Sequence, residues 1–180
     1  MQPFIKYFFS LFLFSSTTLL AQDKDEELVK WSPSSKLTWA DYKASPNPNS
    51  DAAASTTTYL GISYNIASNS FSYKIESSFS KTRSWGLHKT TYILSHEQGH
   101  FDIAEIFARK LHRQMSAYKF NKNNFQRELK KIYQDILDEK EKMQNDYDRE
   151  TNHSINKEKQ EEWLKRIQIM LKESETFSGY

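Results

Sequence analysis

The chain has 180 residues and a net charge of +2, so it has no electrostatic basis for binding nucleic acid. It contains no cysteine, which excludes disulfides and cysteine-based structural zinc sites. Its length suits one globular domain, in which histidine, aspartate and glutamate are the strong metal ligands available.

The first residues have the pattern of a secretory signal peptide. A short basic start precedes an apolar run from Tyr7 to Leu20 and the small residue Ala21, after which we expect cleavage. The run is short for a membrane span, and no cysteine follows it for lipid attachment. We expect residues 1–21 to be a signal peptide and residues 22–180 to form one domain. The protein would then be exported, periplasmic or secreted, without stable membrane insertion after cleavage.

The segment after the predicted cleavage site changes from polar to aromatic. Residues 22–30 are polar and should be a loosely ordered lead-in. Residues 37–42, Leu-Thr-Trp-Ala-Asp-Tyr, predict a strand that enters a tight turn. We expect Trp39 in the core and Asp41 as a local cap, rather than as a metal ligand. Residues 44–55 predict a surface loop that can form one wall of a cleft.

Two runs of alternating apolar and polar residues predict a β-hairpin. They span residues 58–66 and 71–79 and are joined by a polar turn at 67–70. Each strand should have one buried face. The edge of such a sheet is also a place where an extended peptide can add as a further strand.

A helix predicted from about residue 87 to about residue 118 contains the motif His96-Glu97-x-x-His100. Positions four residues apart on an α-helix lie about 40° from each other, so the two histidines can bind one metal ion. Neutral imidazole suits Zn²⁺, and Glu97 is placed to act as the general base toward water. The motif therefore indicates a hydrolytic zinc site. The alternative is a pair of core histidines that bind no metal.

Two more helices are predicted after the motif helix. The second has apolar residues at spacings of four, three, four, seven and four, and we expect its charged residues, including Lys140, on an opposite and solvated face. A third helix should span residues from about 155 to about 175, followed by a frayed tail at 176–180. The apolar stripe of the second helix consists of Phe125, Leu129, Ile132, Ile136, Met143 and Tyr147.

A catalytic zinc site needs a third protein ligand. Helix geometry excludes three candidates on the motif helix itself. Glu105 is turned about 140° from His100, His112 lies about 18 Å further along the axis, and Asp102 points away. The longer metzincin pattern is also absent. The third ligand must therefore come from another part of the chain.

The junction between the second and third helices supplies the best candidates. We favour His153, because a residue at that junction can point back at the motif helix. Asp148 is the second choice and Glu150 the third. The hydroxyl of Tyr147 is a candidate for stabilising an oxyanion in the transition state, and the alternative is that this tyrosine is a core residue.

Three stretches of the sequence, at residues 96–105, 37–42 and 147–153, resemble a bacterial family of uncharacterised exported proteins. That family is classed as predicted secreted zinc-dependent proteases and is placed with the zincin-like peptidases. Its last motif usually ends in Gly after the histidine, where this chain has Ser154. The resemblance implies a zinc site and a protease-like helix, and it supplies no substrate.

The sequence as a whole predicts an α+β, zincin-like domain, in which a small antiparallel sheet packs on the motif helix and two further helices follow. We expect an exported zinc-dependent peptidase that acts on a peptide or protein substrate. Its zinc ligands would be His96, His100 and His153, with Glu97 as the general base. Two alternatives stay open: a zinc amidase acting on cell-wall peptides, and a non-catalytic zinc-binding envelope protein.

Overall fold

A computed structural model of the chain describes residues 26–34, 36–50, 52–67 and 70–180. The predicted signal peptide lies outside the described residues. The described residues form two small antiparallel sheets and three helices, which confirms the predicted α+β class. None of the described helices is long and apolar enough to span a membrane.

The predicted hairpin forms the main part of the larger sheet. Strand β3 (Thr58–Ala67) and strand β4 (Ser70–Ser80) pair antiparallel along their whole length. The tip of their turn, at 68–69, lies outside the described residues. Side chains of β4 alternate between exposed and inward-facing positions as far as Glu76, and then all of them are buried. The change occurs because further segments of the chain cover the second face there.

Strand β1 (Leu28–Lys30) lies beside the buried end of β4 in the same sheet, pairs antiparallel with it and gives the strand order β1-β4-β3. The prediction that residues 22–30 are loosely ordered is wrong for this part, because backbone hydrogen bonding to β4 holds it in place. Strand β2 (Ala54–Ser55) pairs with β5 (Trp85–Gly86) in a separate two-stranded sheet.

The helices follow in the predicted order: α1 at Thr91–Ala117, α2 at Phe125–Thr151 and α3 at Lys157–Glu173. Thr90 caps α1, because its hydroxyl accepts a hydrogen bond from the backbone N–H of Ile93 at 3.1 Å. The central part of α1, from Phe101 to Arg109, is buried at every position. This helix packs against the β3–β4 hairpin, α2 and α3 and forms the middle of the core.

The aromatic segment before the sheet forms a 3₁₀ turn at Trp39–Asp41 instead of the predicted strand. The predicted capping role of Asp41 is confirmed, since its carboxylate accepts hydrogen bonds from the backbone N–H and the hydroxyl of Thr38 at 2.9 and 2.8 Å. Trp39 donates to the backbone oxygen of Thr90 at 3.0 Å. Its ring leaves no space for a Cβ at Gly86, which would lie 2.5 Å away. The turn is therefore locked against the start of α1.

Two expectations about the later helices are wrong. The tail does not fray, since a 3₁₀ turn at Glu175–Phe177 continues the chain and the Tyr180 hydroxyl donates to the buried carboxylate of Glu105. Lys140 is not on the solvated face of α2 and is instead partly buried. The buried positions of this helix are Leu129, Tyr133, Ile136, Met143, Tyr147 and Thr151.

Candidate metal centre

Helix α1 brings the two motif histidines together on one face, as their spacing predicts. The Nε2 atoms of His96 and His100 lie 3.2 Å apart. His96 and Glu97 are 3% and 4% exposed, so the motif is an inner part of the molecule. Its burial means that any charge placed here must be compensated locally.

Asp148 of α2 completes the cluster. Its Oδ1 lies 3.1 Å from Nε2 of His96 and 3.1 Å from Nε2 of His100. Within the described part of the chain, these three residues are the group whose ligand atoms are close enough to hold one metal ion. The structure therefore places the second-choice candidate at the centre of the cluster.

The hydrogen bonds of Gln144 determine the chemistry of His100. The Gln144 amide nitrogen donates to the backbone oxygen of His100 at 2.9 Å, so its amide oxygen faces Nδ1 of the same residue. Nδ1 therefore carries a proton, and Nε2 of the neutral ring is an acceptor. An outer partner of this kind also fixes the orientation of an imidazole ligand.

The three converging atoms fit a zinc ion. With the His100 ring neutral and its Nδ1 protonated, Nε2 and the carboxylate oxygen of Asp148 are both acceptors, and either a proton or a metal ion between them satisfies the contact at 3.1 Å. At a Zn–N distance of 2.0–2.1 Å, neighbouring ligand atoms of a tetrahedral site are about 3.3 Å apart. The observed separations of 3.1, 3.1 and 3.2 Å are close to that value.

Burial and mutual attraction set the charges of the cluster. Burial lowers the pKa of His96 and outweighs the Asp148 carboxylate, which acts in the opposite direction. Burial is also the largest single effect on the pKa of His100 and lowers it, but the hydrogen bond and charge of Asp148, with Glu97 and Gln144, together outweigh burial and raise that pKa. Burial also raises the pKa of Asp148, but hydrogen bonds from His100 and His96 hold that pKa well below its usual range. Asp148 is therefore ionised, as a metal ligand must be.

One atom of the cluster has no hydrogen-bond partner among the described residues. Nδ1 of His96 is buried and unsatisfied. A buried polar atom without a partner costs about 1–3 kcal/mol. Packing alone gives no reason to retain a histidine at this position, whereas a ligand role for its Nε2 does.

Glu97 is held by a chain of two hydroxyl groups. The Thr56 hydroxyl donates to Oε2 of Glu97 at 2.6 Å. The Tyr42 hydroxyl lies 2.8 Å from the same threonine oxygen and must donate to it, because the threonine proton is already used. Burial, followed by the charge of Glu97, raises the pKa of Tyr42, so this phenol keeps its proton. No sequence pattern identifies Thr56 as a functional residue, and Tyr42 stands out in the sequence only as one of the aromatic residues of the segment 37–42.

His153, the favoured third ligand, lies at the edge of the cluster. Its Nδ1 is 3.6 Å from Oδ1 of Asp148, and its side chain is 63% exposed. The backbone here is unusual, since Asn152, His153 and Ser154 all have positive φ angles, of 49°, 50° and 75°. Such conformations cost of order 1–3 kcal/mol each in non-glycine residues and cluster at functional sites. Glu150, the third choice, accepts a hydrogen bond from Trp163 of α3 at 2.8 Å.

Tyr147 lies beneath the motif instead of beside the reacting space. Its ring stacks on His96 with centroids 4.4 Å apart, and its hydroxyl donates to the backbone oxygen of His96 at 3.3 Å. A Cβ at Gly99 would lie 2.6 Å from this hydroxyl, so glycine is required there. Tyr147 is fully buried and does not line the cavity described next. Its geometry favours the core alternative over oxyanion stabilisation.

A cavity of about 710 Å³ opens over the cluster. One wall consists of the segment from Ala52 to Thr58, which includes β2, in agreement with the expectation that this loop forms a wall of a cleft. The opposite wall is the face of α2 from Gln134 to Asp148. Glu97 and both motif histidines line the cavity, so a molecule bound in it has access to them.

The searches of curated proteins and of solved structures found no significant match. A family profile, described as "Bacterial protein of unknown function (DUF922)", matches residues 32–154. The matched region contains the Trp39 turn, the hairpin, α1 and α2, and with them every residue of the cluster. Since it covers more than half of the chain, the protein belongs to this bacterial family of unknown function.

Proposed function

We propose that the protein is an exported, zinc-dependent hydrolase of peptide bonds, similar to the zincin-like peptidases. The observation that carries the proposal is the convergence of His96, His100 and Asp148 on one point beside Glu97. Three atoms of zinc-ligand type at the spacing of a tetrahedral site support a bound zinc ion. A purely structural site would have no need of a buried carboxylate next to its ligands.

The chain's own residues have distinct roles in this proposal. His96, His100 and Asp148 hold the zinc, and Gln144 keeps His100 in the correct tautomer. Bound zinc polarises a carbonyl group and makes water easier to deprotonate. Thr56 occupies Oε2 of Glu97, which leaves Oε1 to take the proton of the attacking water and to pass it to the leaving amine.

His153 keeps a place in the proposal as an alternative ligand. Its distance from Asp148 allows a modest rotation to bring it to the metal. Asp148 is the better third ligand because it already lies within 3.1 Å of both histidines.

The substrate is a peptide or protein in this proposal, because the cavity lies between a strand-containing segment and a helix and a peptide can add to an exposed strand edge. Cleavage of amide bonds in cell-wall peptides uses the same chemistry and remains the second candidate of this class. Export is proposed from the signal-peptide pattern of residues 1–21. Detection of the protein outside the cytoplasm, cleaved after Ala21, would support export.

A comparison of wild type with Glu97→Gln tests the function. Both proteins should hold about one zinc per chain, since Glu97 is not a ligand. A library of proteome-derived peptides and a set of cell-wall peptides should be cleaved by wild type and about 10²–10⁴ times more slowly by the variant. Zinc binding without any cleavage by wild type would leave the non-catalytic envelope protein as the correct alternative. Absence of zinc from wild type, even after it is added back, would refute the proposal.

A further inference from the structure

A charged residue, Lys140, lies in a gap of the buried stripe of α2. Buried positions follow each other at spacings of four and three along this helix, and the step of seven from Ile136 to Met143 has Lys140 in its middle. Lys140 is partly buried. An apolar residue of similar length, such as Met, would suit this position better if packing were its only role.

Lys140 also lines the cavity above the metal cluster. It lies on the same wall as Gln144 and Asp148, one and two helical turns before them. Eight residues of α-helix correspond to about 12 Å. Within the described residues, Lys140 is the single lysine or arginine among the residues that line this cavity.

Two of the four lysines of α2, Lys131 and Lys142, have carboxylate partners among the described residues. Lys130 and Lys140 do not, and of these two Lys130 is exposed whereas Lys140 is partly buried. Lys131 pairs with Asp135 at 2.8 Å and Lys142 with Asp146 at 2.5 Å, each one turn further along the helix. The residue one turn after Lys140 is Gln144, which is already bound to His100. No carboxylate of the described residues lies within ion-pair distance of Lys140.

Besides Asp148 of the metal cluster, two acidic residues share the cavity wall with Lys140. Asp138 accepts a hydrogen bond from Gln134 at 2.7 Å. Glu141 is exposed and raises the pKa of Lys140, but burial has the larger effect and lowers that pKa. Neither residue compensates for the burial of the ammonium group, whose transfer from water is costly without a direct partner.

We propose that Lys140 binds a carboxylate group of the substrate, and that the cavity therefore selects peptides with an acidic group at a defined distance from the cleaved bond. The inference rests on the proposed function, because it treats the cavity as a substrate site. The carboxylate belongs either to an Asp or Glu side chain or to the C-terminus of the peptide. An extended peptide advances about 3.3 Å per residue, so the acidic group lies within about four residues of the cleaved bond.

Binding of zinc-chelating peptides tests the inference without requiring turnover. Two series of peptides carry a hydroxamate as the zinc-binding group, one at the N-terminus and the other at the C-terminus. In each series, Glu or its neutral isostere Gln is placed in turn at each of four positions. The N-terminal series is made with a free and with an amidated C-terminus, which distinguishes the two sources of carboxylate. Dissociation constants are measured for zinc-loaded wild type, Lys140→Met and, as a matched control on the same helix, Lys131→Met. Zinc content and thermal stability are measured for all three proteins.

At one position, or at the free C-terminus, the acidic peptide should bind wild type about tenfold more tightly than its neutral counterpart. Lys140→Met should lose this preference while keeping its zinc and its stability, and Lys131→Met should keep the preference. Equal binding of acidic and neutral peptides by wild type would overturn the inference, and so would a preference that survives in Lys140→Met. The binding results can be interpreted even if wild type cleaves no peptide. If Lys140→Met then loses the preference for acidic peptides, the inference about Lys140 stands and only the hydrolytic part of the proposed function fails. A protein that holds no zinc would refute both.

Discussion

Helix α1 has two groups of buried polar residues, and their hydrogen bonding differs. On the side away from the cavity, Oδ1 of Asp102 accepts from Trp31 at 2.7 Å and from Gln98 at 2.8 Å. Arg109 donates to Glu105 at 2.8 Å and to the backbone of α3 at 2.7 Å. Donors and acceptors are matched there, so this group is complete within the protein.

On the cavity side the groups do not match. Two ring nitrogens and a carboxylate oxygen, from His96, His100 and Asp148, converge on one point, and Nδ1 of His96 has no partner among the described residues. The comparison shows that burial of charge alone does not identify a functional site. The informative feature is a cluster of metal-ligand atoms that converge at ligand spacing and leave a buried polar atom without a partner among the described residues.

The largest expected effect on stability comes from the matched group. Arg109→Met leaves the carboxylate of Glu105 buried without its cationic partner and should lower the free energy of unfolding by about 3–5 kcal/mol. Urea unfolding measures the change. The double variant Glu105→Met/Arg109→Met should recover most of it, and zinc content should be unchanged in both. A loss of zinc in either variant would mean that the two sides of α1 are not independent.

The mismatched group should respond in metal affinity instead. Asp148→Asn removes the carboxylate charge while keeping the size of the side chain and should weaken zinc binding by more than about 100-fold. His153→Ala is the paired variant and should retain most of the affinity, because this side chain lies at the rim. Competition with a chelator measures both. The opposite ranking would make His153 the third ligand, as the sequence favoured.

A smaller effect is expected where the two helices touch beneath the site. Gly99→Ala forces a Cβ against the hydroxyl of Tyr147 and should cost about 1–3 kcal/mol of stability with a measurable loss of zinc affinity. Adding Tyr147→Phe removes the clashing oxygen and should restore part of both. If Tyr147→Phe alone reduced the cleavage rate at least tenfold with normal zinc content, the oxyanion role would gain support over the packing role.

The smallest effect concerns the hydroxyl that holds Glu97. Thr56→Val removes a hydrogen bond to a charged group and should reduce kcat about tenfold with little change in KM or zinc content. Thr56→Ser keeps the hydroxyl and should restore most of the rate. Equal rates for Val and Ser would show that Thr56 contributes by packing alone.

Much of this arrangement could be predicted from local periodicity. The hairpin, the order of the helices and the shared face of His96 and His100 follow from spacings of two, three and four residues, which act over short distances along the chain. The capping role of Asp41 could be predicted for the same reason, because its partner Thr38 is only three residues away.

Local periodicity could not identify which distant residues complete the cluster. Asp148 lies 48 residues from His100, Gln144 lies 44 residues from it, and Thr56 lies 41 residues from Glu97. Their approach depends on how far α2 is shifted along α1 and on which backbone reaches Glu97. The sequence favoured His153 over Asp148 from its position at the helix junction, but both are close to the end of α2, and local spacing does not show which of them reaches the histidines.

The sequence by itself therefore determined the motif helix, its two histidines and its glutamate, because i and i+4 positions share a face in any α-helix. Only the tertiary structure decided that Asp148 meets these histidines, that Thr56 and Tyr42 hold Glu97, and that Lys140 faces the cavity. The physical reason is that side-chain packing between separate elements sets those distances, and no spacing within one element records them.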